Sequence, residues 1–197
     1  MHTPDIITWS CRTLFAGLLL ASQAMAQQQQ PAAETDMAVA EEWSHAASDR
    51  QLAAMSQQAE AEELVRIAQE LRKKEYLYEL DRKNNLNRAG ELEMKAGELH
   101  FLAAQNHEKA ATDWGQAARE YRRIREREKE RQAAILVEQS TTRAIDALTD
   151  AAEAYELSAE AYGSENAADN IKSAVASDRA AGCRELLATK RPVRSGS

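Results

Sequence analysis

Helix-forming residues dominate this chain, and residues that break helices are scarce. Three prolines and seven glycines occur among 197 residues, and apolar or small side chains recur at steps of three and four along most of the sequence. That spacing is typical of amphipathic helices. Aromatic residues make up only 5% of the chain, so the core has to be thin and built mainly of Ala, Leu and Ile. The sequence therefore predicts an all-α protein of long antiparallel helical hairpins that pack in a coiled-coil-like manner.

Residues 1–26 carry the pattern of a secretory signal peptide. Arg12 precedes the apolar run 14–21, and Ala24 and Ala26 stand at the spacing of a signal-peptidase site. The apolar run is too short to cross a bilayer, which requires about 20 residues. We therefore expect cleavage after Ala26, export to the periplasm or the extracellular space, and no membrane span.

The mature chain would keep a single thiol, Cys183. One cysteine cannot form an internal disulfide. Two interpretations remain: a small side chain buried on a helix face, or an intermolecular disulfide in an oxidising compartment.

The rest of the chain divides by composition. Residues 27–47 are polar and of low complexity, which predicts a disordered linker. Residues 48–189 have the helical pattern, with turns expected at the Asn-rich segment 84–87 and at Gly163–Ser164. Residues 190–197 form a short basic tail that we expect to be disordered.

A densely charged stretch, REYRRIREREKER at residues 119–131, interrupts the apolar pattern. One interpretation is a single long central helix over residues 88–162, roughly 110 Å long. Its middle would be a solvated strut held by ion pairs at three- and four-residue spacing, because neither neighbouring helix would reach it. The alternative is a compact bundle of shorter helices, with breaks near residues 105–107 and around Arg131.

Motifs that would carry chemistry are lacking. His100 and His107 lie about 10 Å apart along a helix, too far to share a metal ion without further ligands. The carboxylates lie on polar faces beside Arg and Lys, and no Gly-rich phosphate loop or nucleophile motif occurs. The net charge of −7 argues against nucleic acid. We therefore expect no catalysis, no cofactor, no metal and no nucleic-acid partner.

Two segments match a helical-hairpin pattern. Tyr155, Ser158, Ala159 and Tyr162 follow a large–small–small–aromatic order within residues 151–175. The segment 99–121 holds His100, Ala103, Ala104 and His107 at the same four positions, followed by Ala117 and Tyr121. Both segments resemble tetratricopeptide or SNAP-type hairpins. The resemblance implies a module that binds a peptide or a protein.

The prediction is an exported, non-enzymatic helical protein that binds, spaces or scaffolds envelope proteins, with self-association as one option. A small-ligand or metal-binding bundle is the alternative. The strut interpretation would leave the cluster Ile135, Leu136 and Val137 partly uncovered, so we expect a partner to contact it. The remaining candidate contact residues are aromatic: Trp114, Tyr121, Tyr155 and Tyr162.

Overall fold

Four helices make up the part of the chain that the structure, a computed structural model, describes. It describes the backbone over residues 7–74, 78–164 and 169–190, and the side chains of those ranges from residue 35 onward. The helices are α1 (Ile7–Lys73), α2 (Glu79–Arg123), α3 (Arg127–Gly163) and α4 (Asn170–Lys190). Within these ranges no strand occurs. The predicted all-α class is confirmed.

The α2–α3 hairpin is the centre of the fold. Helix α1 packs along α2, and α4 packs on α3. Ion pairs show that α1 and α2 are antiparallel: Arg72, near the end of α1, binds Glu93, near the start of α2, whereas Asp36 binds Arg123 at the end of α2. Because α1 and α3 barely touch each other, a groove lies between them. The predicted arrangement of antiparallel hairpins is confirmed.

Small residues at seven-residue intervals form the seams between helices. On each of α1, α2 and α3, five such residues are at most 2% exposed. They are Ala40, Ala47, Ala54, Ala61 and Ala68 on α1; Ala89, Ala96, Ala103, Ala110 and Ala117 on α2; and Ala133, Ser140, Ala147, Ala154 and Ala161 on α3. A strict seven-residue repeat keeps a seam facing its neighbour when helices supercoil, and small side chains let the backbones approach closely.

Two glycines of α2 let tyrosine rings of α3 pack directly against the α2 backbone. A Cβ at Gly97 would lie 2.7 Å from Cδ1 of Tyr155, and one at Gly90 would lie 3.1 Å from Cε1 of Tyr162. The hydroxyl of Ser158 donates a hydrogen bond to the carbonyl oxygen of Gly90 at 2.8 Å. The two tyrosine rings, seven residues apart, therefore lie directly on the α2 backbone.

The single long central helix over residues 88–162 is wrong, because the chain reverses inside the charged stretch. Helix α2 ends at Arg123 with a Schellman motif: the N–H of Glu126 donates to the carbonyl of Tyr121 at 2.9 Å, and that of Arg125 to Arg122 at 3.1 Å. Arg125 has φ 64°, the left-handed conformation that this motif requires. The apolar pattern fails here because a hairpin tip projects into solvent. The alternative break at 105–107 is also wrong, since α2 is continuous there.

The disordered linker predicted at 27–47 is wrong for residues 35–47. These residues are helical, and Ala40 and Ala47 are fully buried against the hairpin tip. The hydroxyl of Ser44 lies 3.0 Å from that of Tyr121. The physical reason is that the alanine seam of α1 starts at Ala40, before the amphipathic pattern becomes evident.

Two turn predictions had different outcomes. The expected turn at 84–87 is wrong, because those residues lie inside α2 and α1 already ends at Lys73. The stop at Gly163 is confirmed as the end of α3. The signal-peptide cleavage site and residues 191–197 lie outside the residues whose side chains the structure describes.

Candidate binding surfaces

The predicted contact residues lie mostly in the core. Trp114 and Tyr121 are buried with Ala40 and Ala47 of α1, and Tyr155 and Tyr162 are buried against α2. Helix α1 covers Trp114 and Tyr121, whereas Tyr155 also lines the cavity between α2 and α4 that is described below.

The three aliphatic contact candidates differ in exposure. Leu136 and Val137 are partly buried against the cluster that contains Trp114 and Tyr121. Ile135 is 47% exposed. A partner contact at these three residues stays a prediction.

An apolar slot lies between α2 and α4. Salt bridges join the two helices: Lys172 to Glu91 at 3.2 Å, Arg179 to Glu98, and Lys190 to Glu108. Beside the Arg179–Glu98 pair the slot opens to a volume of about 660 Å³. We call this cavity the apolar slot; its apolar lining is Phe101, Leu102, Tyr155, Gly182, Cys183 and Leu186. A Cβ at Gly182 would meet no atom within 4 Å, so the space beside it is open.

Apolar side chains on α4 continue from the slot to the surface. Ile171, Val175 and Leu186 are exposed and, together with Gly182, are separated by steps of four, seven and four residues. Residues at these steps share one helix face. We call Ile171, Val175 and Leu186 the α4 stripe. Leu102 of α2, 45% exposed, lies beside it in the slot.

A polar cleft lies on the other side of α2, in the groove between α1 and α3. His100 lies on α2 in this cleft, two residues and therefore about 200° around the helix from Leu102 of the slot. We call this cavity of about 370 Å³ the acidic cleft; its lining is Glu62, Val65, Arg66, Gln69, His100, Asp150, Glu153, Ala154 and Leu157. Burial, with the neighbouring carboxylates adding to it, raises the pKa of Asp150, and burial lowers the pKa of His100.

The buried histidines do not form a metal site with their surroundings. Nε2 of His107 lies 3.2 Å from Oε1 of Gln58, and burial lowers the pKa of His107. Among the described residues, no group of three or more His, Cys, Asp or Glu is positioned to hold a metal ion. Burial raises the pKa of the Cys183 thiol, which favours the unreactive protonated form.

One buried ion pair was not anticipated from the sequence. Glu93 is fully buried, and Arg72 donates two hydrogen bonds to its carboxylate, at 2.9 and 2.7 Å. Arg72 also donates to the carbonyl oxygen of Leu157 on α3. One guanidinium therefore joins α1, α2 and α3, which gives the pair a structural role.

The slot and the cleft were also missed. Their residues come from three helices each, so no short motif could reveal them. The seven-residue spacing of Gly90 and Gly97, matched by that of Tyr155 and Tyr162, was a readable signal for the α2–α3 pairing.

Comparisons with known proteins give no relative: no family model, no curated protein and no solved structure matches the chain. Segment 99–121 lies within α2 without a turn, whereas segment 151–175 spans the end of α3 and the start of α4. The tetratricopeptide or SNAP-type resemblance stays a prediction. Over the described ranges, no helix combines the length and hydropathy that crossing a bilayer requires.

Proposed function

We propose that this is an exported, non-enzymatic binding protein that packs an amphipathic helix of a partner protein against the α4 stripe and the apolar slot. The observation that carries this is the set of apolar side chains left uncovered there, with Ile171 79% exposed. Uncovered apolar residues at helical spacing beside a groove are the usual basis of helix-in-groove recognition. Export rests on the signal-peptide pattern of residues 1–26.

The partner is a second copy of the chain or another envelope protein, and the first of these is tested directly. Sedimentation of the mature protein over a range of concentrations measures self-association. If a second copy is the partner, Val175→Glu shifts the dimer to monomer, while Leu52→Glu, at an exposed apolar position of α1, leaves it unchanged.

A photocrosslinking residue at position 186 tests for another envelope protein. We expect covalent adducts in the cell envelope from position 186 and not from position 52. Equal labelling at both positions, in a protein that sediments as a monomer, would refute the proposed surface. N-terminal sequencing of the exported protein tests cleavage and should begin at Gln27.

The size of the apolar slot favours a small apolar ligand as a second candidate, because 660 Å³ is typical of ligand pockets. Gly182→Leu would fill the open space in the slot, whereas Val175→Glu charges the stripe outside the slot lining. Loss of binding of the dye 1-anilinonaphthalene-8-sulfonate in Gly182→Leu alone would favour the small ligand. Loss of protein association in both variants would favour the helix.

A further inference from the structure

The acidic cleft contains carboxylates that lack the cationic partners found elsewhere between the helices. Glu60 on α1 forms a salt bridge with Lys95 on α2 at 3.1 Å, and the α2–α4 contact is crossed by three such pairs. Glu62, Asp150 and Glu153, by contrast, form no salt bridge with any residue in the described part of the chain.

The one basic side chain of the cleft is already engaged. Arg66 donates to the carboxylate of Glu63 at 2.8 Å and also binds Glu70, both on its own helix. The cleft therefore holds three carboxylates from α1 and α3 whose negative charge no residue of the cleft neutralises. Like charges that face each other across a partly enclosed space attract a cation more strongly than the same charges on an open surface.

His100 adds a second observation on the α2 side of the cleft. Its side chain lines the cavity, the residue is only 4% exposed, and Nδ1 has no hydrogen-bond partner. A buried polar atom without a partner destabilises the folded state. A neutral imidazole has one acceptor nitrogen, so a ring of His100 that turns this nitrogen toward the cavity would accept from an N–H donor bound in the cleft.

The walls restrict the chemistry of the cation. Val65, Ala154 and Leu157 place apolar surface beside the carboxylates. The cavity of about 370 Å³ is far larger than a single ion, and the described residues offer no three-ligand metal cluster. An ammonium group on a chain of methylenes fits both the charged and the apolar parts. We propose that the acidic cleft binds a primary alkylammonium group, supplied by a free aliphatic diamine or by a lysine side chain of a protein.

Calorimetric titration with two probes tests this proposal and separates the two sources. The probes are 1,5-diaminopentane and N-acetyl-lysine-N-methylamide, which share the ammonium group and differ in what the methylene chain carries. We expect at least one probe to bind with a dissociation constant of about 1 mM or tighter. Tighter binding of the diamine indicates a free amine, and tighter binding of the lysine amide indicates a protein side chain.

A charge-matched pair of variants shows whether binding belongs to the cleft. Asp150→Asn with Glu153→Gln should weaken the probe at least tenfold, because it removes two of the three carboxylates. Glu128→Gln with Glu138→Gln removes the same charge from exposed positions of α3 and should change affinity less than twofold. If the cleft variant fails to fold, Glu62→Gln on α1 tests the same site from the opposite wall.

Three results would overturn the proposal. Neither probe binds at millimolar concentration; or the charge-matched control loses as much affinity as the cleft variant, which indicates attraction to the overall negative charge; or Zn²⁺ binds stoichiometrically at the cleft and displaces the amine. If a probe binds in the cleft, it must also perturb the imidazole resonances of His100 in NMR spectra and leave those of the exposed His45 unchanged.

Discussion

Gly97→Ala is the most informative single substitution in this fold, because it adds one methyl group where the Tyr155 ring of α3 packs against the α2 backbone. The new Cβ would lie 2.7 Å from both Cδ1 and Cε1 of Tyr155 and 3.0 Å from Cγ. Carbon atoms pack best at about 3.5–4.0 Å, so the ring would have to retreat by about 1 Å. Tyr155 is buried in the largest core cluster and borders open space only where it lines the apolar slot, so a retreat in any other direction displaces packed neighbours.

Two opposing effects set the change in the free energy of unfolding that Gly97→Ala causes. Alanine is favoured over glycine inside a helix by about 1 kcal/mol. Overpacking a close-packed core costs about 1–3 kcal/mol. Because the ring cannot move freely, overpacking prevails, and we expect Gly97→Ala to lower the free energy of unfolding by about 1–2 kcal/mol.

Gly115→Ala is the matched control in the same helix. A Cβ at Gly115 would meet no atom within 4 Å, so only the helix-propensity gain remains. We expect this variant to raise the free energy of unfolding by about 0.5–1 kcal/mol. Urea unfolding followed by circular dichroism at 222 nm measures both variants, and the two should shift the midpoint in opposite directions.

A double-mutant cycle with Tyr155→Leu tests whether the Tyr155 ring causes the destabilisation by Gly97→Ala. In the Tyr155→Leu background the ring is gone, so Gly97→Ala should cost less than it does in the wild type. Equal shifts for Gly97→Ala and Gly115→Ala, or a Gly97→Ala cost that is independent of Tyr155, would refute the close packing of α2 on α3.

Three further predictions follow from single sites. Arg125→Gly should stabilise the fold by about 0.5–1 kcal/mol in urea unfolding, because glycine adopts the left-handed conformation without the side-chain penalty; a loss of stability would contradict the turn. Arg72→Met should destabilise by about 3–5 kcal/mol because it leaves the buried Glu93 carboxylate unpaired, and the double variant with Glu93→Leu should recover most of that loss. Burial lowers the pKa of His107 in the folded state, so the unfolded chain binds the proton first and stability is lost as the pH falls below about 6.5; His107→Gln should therefore flatten the dependence of the urea midpoint on pH between 7.5 and 5, and an unchanged dependence would contradict this reasoning.

The class of fold could be predicted from the sequence because helix propensity and apolar spacing are local properties. The reversal at Arg125 could not, because a non-glycine residue in the left-handed conformation leaves no turn signal in the sequence. Charged residues are compatible both with a solvated helix and with a solvated hairpin tip. The choice between a helix and a hairpin tip depends on a contact between distant segments, in which Gly90 packs on Tyr162 and Gly97 packs on Tyr155.

The start of the packed region was missed for a related reason. Residues 35–47 look polar because α1 buries only one residue in seven through much of its length, and that residue is alanine. A search for large apolar side chains cannot detect such a seam. The strict spacing from Ala40 to Ala68 was present in the sequence and would have placed the helix correctly.

The same spacing explains why the two edges of the fold differ. On α1, the positions two residues after each seam alanine point away from α2. They are polar and exposed: Glu42, Asp49, Ser56, Glu63 and Glu70. These polar positions disfavour the packing of a further helix directly on them, although Val39, Trp43, Leu52 and Met55 are also exposed on α1.

Helix α4 has no comparable protection on the side that faces the apolar slot. Ile171, Val175 and Leu186 lie there, and the glycine between them leaves open space. An incoming helix could bury these side chains against α4 and Leu102, as α1 is buried against α2. We therefore expect association at the α4 edge, where the exposed apolar residues lie beside an open slot, and Val175→Glu should weaken it more than Leu52→Glu does.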